Sequence, residues 1–475
     1  MKYLFISSLV FLTHCAYLSV DRKLPKVDLP QSYENSTLDP STLKEWWRHF
    51  DDPALNELIE YARKNNTDLM IAAAKIDEAR AVLGIAKSEK LPRLDARASA
   101  TRMQSSEYVL TPNAPNPFDD YQLAAQASWE LDLWGRIRNS TSSARSNLLA
   151  QHYNQEVILL SLYSDIAQAY FNLCTLDTQL EITKNTIASR KQSFELQRKR
   201  LSGGFISEQD AIQAEVELAT AKSSLPDLQK NIATAESILN ILIGASPRDI
   251  IEKNIARGKS LEKISIPPSI PKTLPSDLLL LRPDIQQAEQ TLLFNRANIA
   301  VARAAYFPKI SLTGLLGMES LDINKLFNSS AQMWSYGVGL TTPLFNNGLI
   351  ASQVAQASAR EQAAVAGYRR TISQAFSDVK TSLEVQKFSA LKVQALKDQT
   401  EASQELYRLA DIRYNNGYEN YLNVLDAQRS LYQAQLLNIS AQRDHLISIV
   451  SLYKSLGGGW VREDHPKKDN DIVKK

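Results

Sequence analysis

The five histidines, His14, His49, His152, His445 and His465, are scattered along a chain of 475 residues, and no two have the spacing of a paired-histidine metal site. The stretch LGGGW (456–460) has neither the spacing nor the following helix of a phosphate-binding loop, and no nucleophile elbow is present. No catalytic residue, cofactor or metal is expected, so the chain does not read as an enzyme. A secreted hydrolase fails on the same ground. Lys and Arg total 54 against 52 for Asp and Glu, and a net charge of +2 gives no electrostatic reason to expect nucleic acid. Chemistry is legible instead as patterning. In YQLAAQASWELDLWG (121–135), Tyr121, Leu123, Ala125, Ala127, Trp129, Leu131 and Leu133 alternate with Gln122, Ala124, Gln126, Ser128, Glu130 and Asp132. That is the period of a strand, and it runs longer than most soluble strands.

The first residues form an export signal: Lys2, the apolar run Tyr3 to Leu12, then LTHC. Such signals end at a cysteine in bacterial lipoproteins, and Cys15 is the expected acylated residue, although His14 stands where a small residue is usual. An ordinary cleaved signal is the alternative. Cys174, the other cysteine, falls in a helical pattern and reads as a small core residue. Beyond the signal no segment is read as a transmembrane helix, so any membrane crossing must be made by strands.

The elements are written twice. NTDLMIAAAKIDEARAVLGIAKSEKLPRL (66–94) aligns without a gap to RPDIQQAEQTLLFNRANIAVARAAYFPKI (282–310), and FELQRKRLSGGF (194–205) matches YRLADIRYNNGY (407–418). A second alternating strand, MWSYGVGLTTPLF (333–345), answers the first. Each is preceded by a less regular strand, so four are expected, at about 93–103, 121–133, 308–318 and 333–345. Residues 136–202 contain neither Gly nor Pro; as one helix they would extend roughly 100 Å. Leu159, Ile166, Leu173, Leu180, Ile187, Phe194 and Leu201 recur every seven residues, the spacing of a coiled-coil seam. Past Gly203 and Gly204 a return seam runs through Leu218, Leu225, Ile232 and Leu239, with Pro226 expected to bend it. The second copy repeats the hairpin over 348–456, with Gly417 at its tip.

The expected organisation is a signal at 1–14, an extended anchor segment at 15–54, repeats at 55–275 and 276–456, and a tail at 457–475, of which Val461–Lys475 is expected to be disordered. The fold class is mixed, mainly α with β: long coiled-coil helical hairpins plus β-hairpins. Ordinary helical bundles with incidental β-hairpins are the plain alternative, and a soluble periplasmic coiled-coil rod is the rival function. Four strands cannot close a barrel, which needs about eight, so several chains must share one.

SWELDLWGRIR, RLSGGFISEQDAIQAEVELATA, LPSDLLLLRPDI, TTPLFNNG and LGGGW, in this order, are similar to the TolC-like outer-membrane efflux family, and in particular to its lipoprotein branch in multidrug pumps. The resemblance covers about Trp46 to Trp460. It implies a homotrimer whose twelve strands close one outer-membrane β-barrel, continued by a periplasmic α-helical barrel. In it the apolar face of 121–133 meets lipid, and Gln122, Gln126, Glu130 and Asp132 line the lumen; Tyr121 and Trp129 are interfacial aromatics. The implied partners are a periplasmic adaptor (membrane fusion protein) and an inner-membrane RND-type pump, and the implied cargo is drugs or small toxic compounds. A type I protein secretion duct and a heavy-metal duct remain open. Residue by residue, the family's periplasmic gate falls on Asp210, Tyr414 and Asp426, with Asn423 and Glu419 standing where an aspartate and an arginine occur in one form of the pattern. Asp210 and Asp426 also suit helix N-terminal turns. Gly203, Gly204 and Phe205, with Asn416, Gly417 and Tyr418, are the implied adaptor-docking tips, and the same residues suit simple turn chemistry.

Overall fold

The computed structural model describes residues 24, 25, 27, 28, 45–106, 108, 115–267 and 280–458. Cys15, the signal, most of the anchor segment and the tail from 459 lie outside the described residues. The chain divides into two compact units, one centred on 74–152 with 287–369 and the other on 45–73, 153–286 and 370–458. In chain order the helices are α1 (Pro53–Asn65), α2 (Thr67–Ser88), α3 (Arg136–Ser202), α4 (Glu208–Ile243), α5 (Pro247–Glu252), α6 (Pro283–Ala304), α7 (Leu349–Asn415) and α8 (Tyr421–Ser455). The strands are β1 (Arg93–Met103), β2 (Phe118–Leu131), β3 (Lys309–Ser320) and β4 (Gln332–Thr341).

In the first unit the four strands form one antiparallel sheet in the order β1-β2-β3-β4. Two strands differ in extent from the sequence expectation. β2 starts earlier and stops at Leu131, because the Asp132 carboxylate turns to accept the backbone N–H groups of Ile137 and Arg138 at 3.0 and 2.8 Å. It therefore serves the open N-terminus of α3 rather than a strand face. β4 ends at Thr341 rather than 345: Pro343 has no N–H for a ladder, and Gly348, at φ +79°, leads into α7.

The core of the second unit is built around the short helix Trp46–Phe50, where Trp46 stacks on Tyr453 at 5.5 Å and Phe50 meets Phe171 edge-on at 5.0 Å. Asp52, fully buried, caps α1 through Ala54 N and Leu55 N. It also accepts from Tyr170 Oη at 2.8 Å and Lys259 N at 3.0 Å. Gly258 is required beside it, since a Cβ there would lie 2.0 Å from Asp52 Oδ1. The restart RPDI and the closing LGGGW prove to be one contact, in which Arg282 donates to the Ser455 carbonyl at 2.7 Å while held by Asp284 at 2.8 Å.

One window of α3 is apolar enough to pass a membrane-span test, with mean hydropathy 1.3, contrary to the expectation that no segment would. Half of it is buried inside the fold, and it holds the core residues Ile166, Tyr170, Phe171 and Leu173, so protein packing accounts for its hydropathy. α4 continues through Pro226 as one helix. The apolar seam of α3 is fully buried at Ile166 and Leu173 and only half-buried at Leu180, Ile187, Phe194 and Leu201. Over the same stretch a polar row seven residues apart, Thr183, Arg190 and Gln197, goes inside instead.

Candidate functional site

Strand register sorts the sheet into two faces. Ala96, Ala125, Leu316 and Trp334 lie abreast, as do Leu94, Ala127, Gly314 and Tyr336, and Leu131, Ile310 and Leu340. This face is apolar over nearly its whole width, and Trp334 and Tyr336 stack on it at 5.8 Å. Asp95, Gln126 and Ser335 lie abreast on the opposite face, with Leu315 among them, and Ser99, Gln122 and Glu319 share another rung. Gln122 and Gln126 thus occupy the polar face. Glu130 occupies it too, but its carboxylate is bound by Arg136 at 2.8 and 3.0 Å. Asp132 is past the strand end. Trp129 is on the apolar face and its indole N–H reaches the Lys90 carbonyl at 3.0 Å.

At the other functional element the two halves of the internal repeat give one motif twice. Phe205 N donates to the Arg200 carbonyl at 2.9 Å across Gly204, and Tyr418 N donates to the Arg413 carbonyl at 2.9 Å across Gly417. The glycines have φ of +74° and +81°, the left-handed helix cap that lacks a Cβ penalty only for glycine. Each motif presents an aromatic ring directly after its glycine, and Phe205 and Tyr418 are 82% and 79% exposed.

The residues matched to the gate have separate partners. Asp210 closes a capping box with Ser207, accepting from its hydroxyl at 2.9 Å while Ser207 Oγ receives Asp210 N. Tyr414 donates to Gln197 Oε1 at 3.0 Å, lies beneath the Arg200 guanidinium at 4.9 Å, and packs with Tyr421. Glu419 pairs with Arg413 at 3.3 Å and accepts from the Asn423 amide at 3.3 Å, while the Asn423 backbone is capped by Asn420. Asp426 pairs with Arg429 at 3.1 Å.

Sequence reasoning missed Arg190, Glu217 and Arg429. Glu217, buried on α4, is held by Arg190 of α3 at 3.1 Å and by Arg429 of α8 at 2.6 Å. Burial pushes the Arg190 guanidinium below its ordinary pKa, with Glu217 opposing; the hydrogen bond from Glu217 raises that of Arg429. The available signal was the heptad row Thr183, Arg190 and Gln197 beside the apolar seam. Among the described residues no three His, Cys, Asp or Glu side chains converge as metal ligands.

A four-stranded sheet with one apolar face, on a chain otherwise made of paired long helices, defines a subunit of a membrane-spanning duct. The family model for outer membrane efflux protein matches residues 58–245 and 274–458, one match on each repeat. The chain belongs to that family and is the outer-membrane channel of an efflux system. It is 35% identical over 413 residues to the solvent efflux pump outer membrane protein SrpC of Pseudomonas putida, covering 86% of each chain. The probable outer membrane lipoprotein SilC of Salmonella typhimurium is 29% identical over 97% of this chain and 99% of its own length. The crystal structure of the Campylobacter jejuni CmeC outer membrane channel superposes with a TM-score of 0.82 at 27% identity, over 93% of this chain and 95% of that one.

Proposed function

We propose that three copies of the chain close one twelve-stranded barrel, and that this passive duct carries small toxic organic compounds delivered by an inner-membrane RND-type pump through a periplasmic adaptor. The observation that carries this is the sheet: its order leaves β1 and β4 each with one unpaired edge, beside a face of Leu94, Leu316, Trp334, Tyr336 and Leu340. In hydrocarbon every unpaired backbone group costs several kcal/mol, so an open edge cannot stand there. Four strands are half the smallest barrel, and three sets give an even twelve. The polar face then borders water, with Gln122, Gln126 and Glu130 in the lumen, while Asp132 works at the barrel's helix junction as a cap. No bond is made or broken by the protein.

Asp426, Tyr414, Glu419, Asn423 and Asp210 form the periplasmic gate, and the two exposed tip motifs are the adaptor-docking points. Cys15 carries the lipid anchor. SrpC, by its name a solvent efflux component, supports organic cargo over metal ions or a secreted polypeptide. Deleting the protein and testing a panel of drugs, solvents, metals and exported proteins, with cross-linking of the intact cell envelope, tests the whole reading. Sensitisation to organic compounds and a trimeric adduct are expected. A defect confined to one secreted polypeptide overturns the cargo, and purified protein that keeps its native form at single-subunit mass without detergent overturns the shared barrel.

A further inference from the structure

Two buried charges on neighbouring helices meet a third from the other helical hairpin. Arg190 and Glu217 are only 4% and 5% exposed. Arg190 Nη1 lies 3.1 Å from Glu217 Oε2 and also donates to the Glu217 carbonyl at 2.8 Å. On the other side Arg429 sets Nε and Nη2 on Oε1 at 2.8 and 2.6 Å, and its Nη1 reaches Asp426 Oδ1 at 3.1 Å. The Arg190 guanidinium lies over the Tyr432 ring at 5.6 Å, and its Nε is buried with no acceptor. Charges withdrawn from water in this way add little stability over well-packed apolar residues, because desolvation offsets their attraction. Removing one partner, by contrast, leaves the other charge buried and unpaired, at a cost of several kcal/mol. Such a cluster is a poor adhesive and a sharp constraint on geometry.

Its place gives that constraint a use. Glu217 and Arg429 follow the helix caps Ser207 and Asn420 by ten and nine residues, which puts both about 14 Å from their tips. Around them Gln428 donates to Ser189 Oγ at 3.3 Å, Thr183 and Tyr432 hydroxyls meet at 3.0 Å, and Tyr414 bonds Gln197. Every one of these contacts joins the first helical hairpin to the second within one chain.

We propose that Glu217 is the positioning residue of the gate: through Arg429 it fixes where Asp426 stands, and through Arg190 it ties the two hairpins of a chain together above the tip. This rests on the gate reading given above. The duct widens by movement between chains, with both hairpins of each chain moving together, and the tie sets how readily it does so.

The test is the ion leak of detergent-purified trimers in planar bilayers, for Glu217→Gln, Arg429→Gln and the double variant. Each single substitution cuts the same tie, so each is expected to raise the leak about fivefold or more, the low end of a site-to-site coupling, and the double variant no further than either. Wild-type leak in both singles with the trimer intact, or leaks that multiply in the double variant, overturns the proposal. If Glu217→Gln fails to assemble, Arg429→Gln, whose side chain is half-exposed, decides alone by the same criterion. Charge reversal at Asp426 separates the two levels. If it changes ion preference while the tie variants leave the leak unchanged, the anchor is wrong and the gate stands; if it too is silent, the gate itself is misplaced.

Discussion

Truncating the tip aromatics isolates docking from folding. Phe205 and Tyr418 are about four-fifths exposed, so Phe205→Ala and Tyr418→Ala remove almost no packing from the chain itself, and stability should change by no more than about 0.5 kcal/mol. A ring of roughly 200 Å² that is buried by a partner represents up to about 4 kcal/mol at 25 cal/mol per Å². Part of that is lost to ordering and imperfect fit, so a loss of about 2 kcal/mol, or some thirtyfold in affinity, is expected for each ring. The neighbouring glycines give the contrast. At Gly417, with φ +81°, an added Cβ meets nothing within 4 Å, so Gly417→Ala should cost about 1 kcal/mol through the left-handed backbone alone and leave the ring in place. Affinity for the cognate adaptor is measured on immobilised trimers by surface plasmon resonance, and stability by denaturant melts in the same detergent. Adaptor affinity within twofold of wild type for both aromatic variants would refute docking at the tips.

Asp52→Ala should destabilise the second unit by about 3 kcal/mol or more, combining a lost cap with the stranded Tyr170 hydroxyl and Lys259 N–H; chemical denaturation reads it directly. Asp426→Lys should lower the cation preference of the reconstituted channel, read from reversal potentials, and an unchanged preference removes Asp426 from the gate. His445 has its pKa lowered by burial, so the unfolded chain binds its proton more readily than the fold does. The stability it contributes is fully present above the unfolded value of about 6.5 and declines as pH falls through it. Thermal melts at pH 7.5 and 5.5 should therefore differ less for His445→Gln than for wild type, and an equal difference in both would refute the assignment.

Elements set by short-range pattern were readable from the residues. Period two in 121–131 and 333–341 specifies strands because successive side chains point to opposite faces. The seven-residue recurrence from Leu159 to Leu201 specifies paired helices, and Gly204 and Gly417 mark the two tips because few other residues accept a positive φ. The family was legible too, since its motifs are runs of neighbours.

Tertiary structure decided which polar groups are shared and with whom. Asp132 and Asp210, which alternation and motif matching sent to a lumen and a gate, spend their carboxylates on helix ends, because uncapped N–H groups a few residues away compete for them. Arg190, Glu217 and Arg429 lie 27 and 212 residues apart in the chain, and nothing local to any of them tells a buried charge from a solvated one. A helix face is polar or apolar by its own residues alone; whether a polar position faces water or a partner depends on which other helix arrives there, and only the packed hairpins determine that.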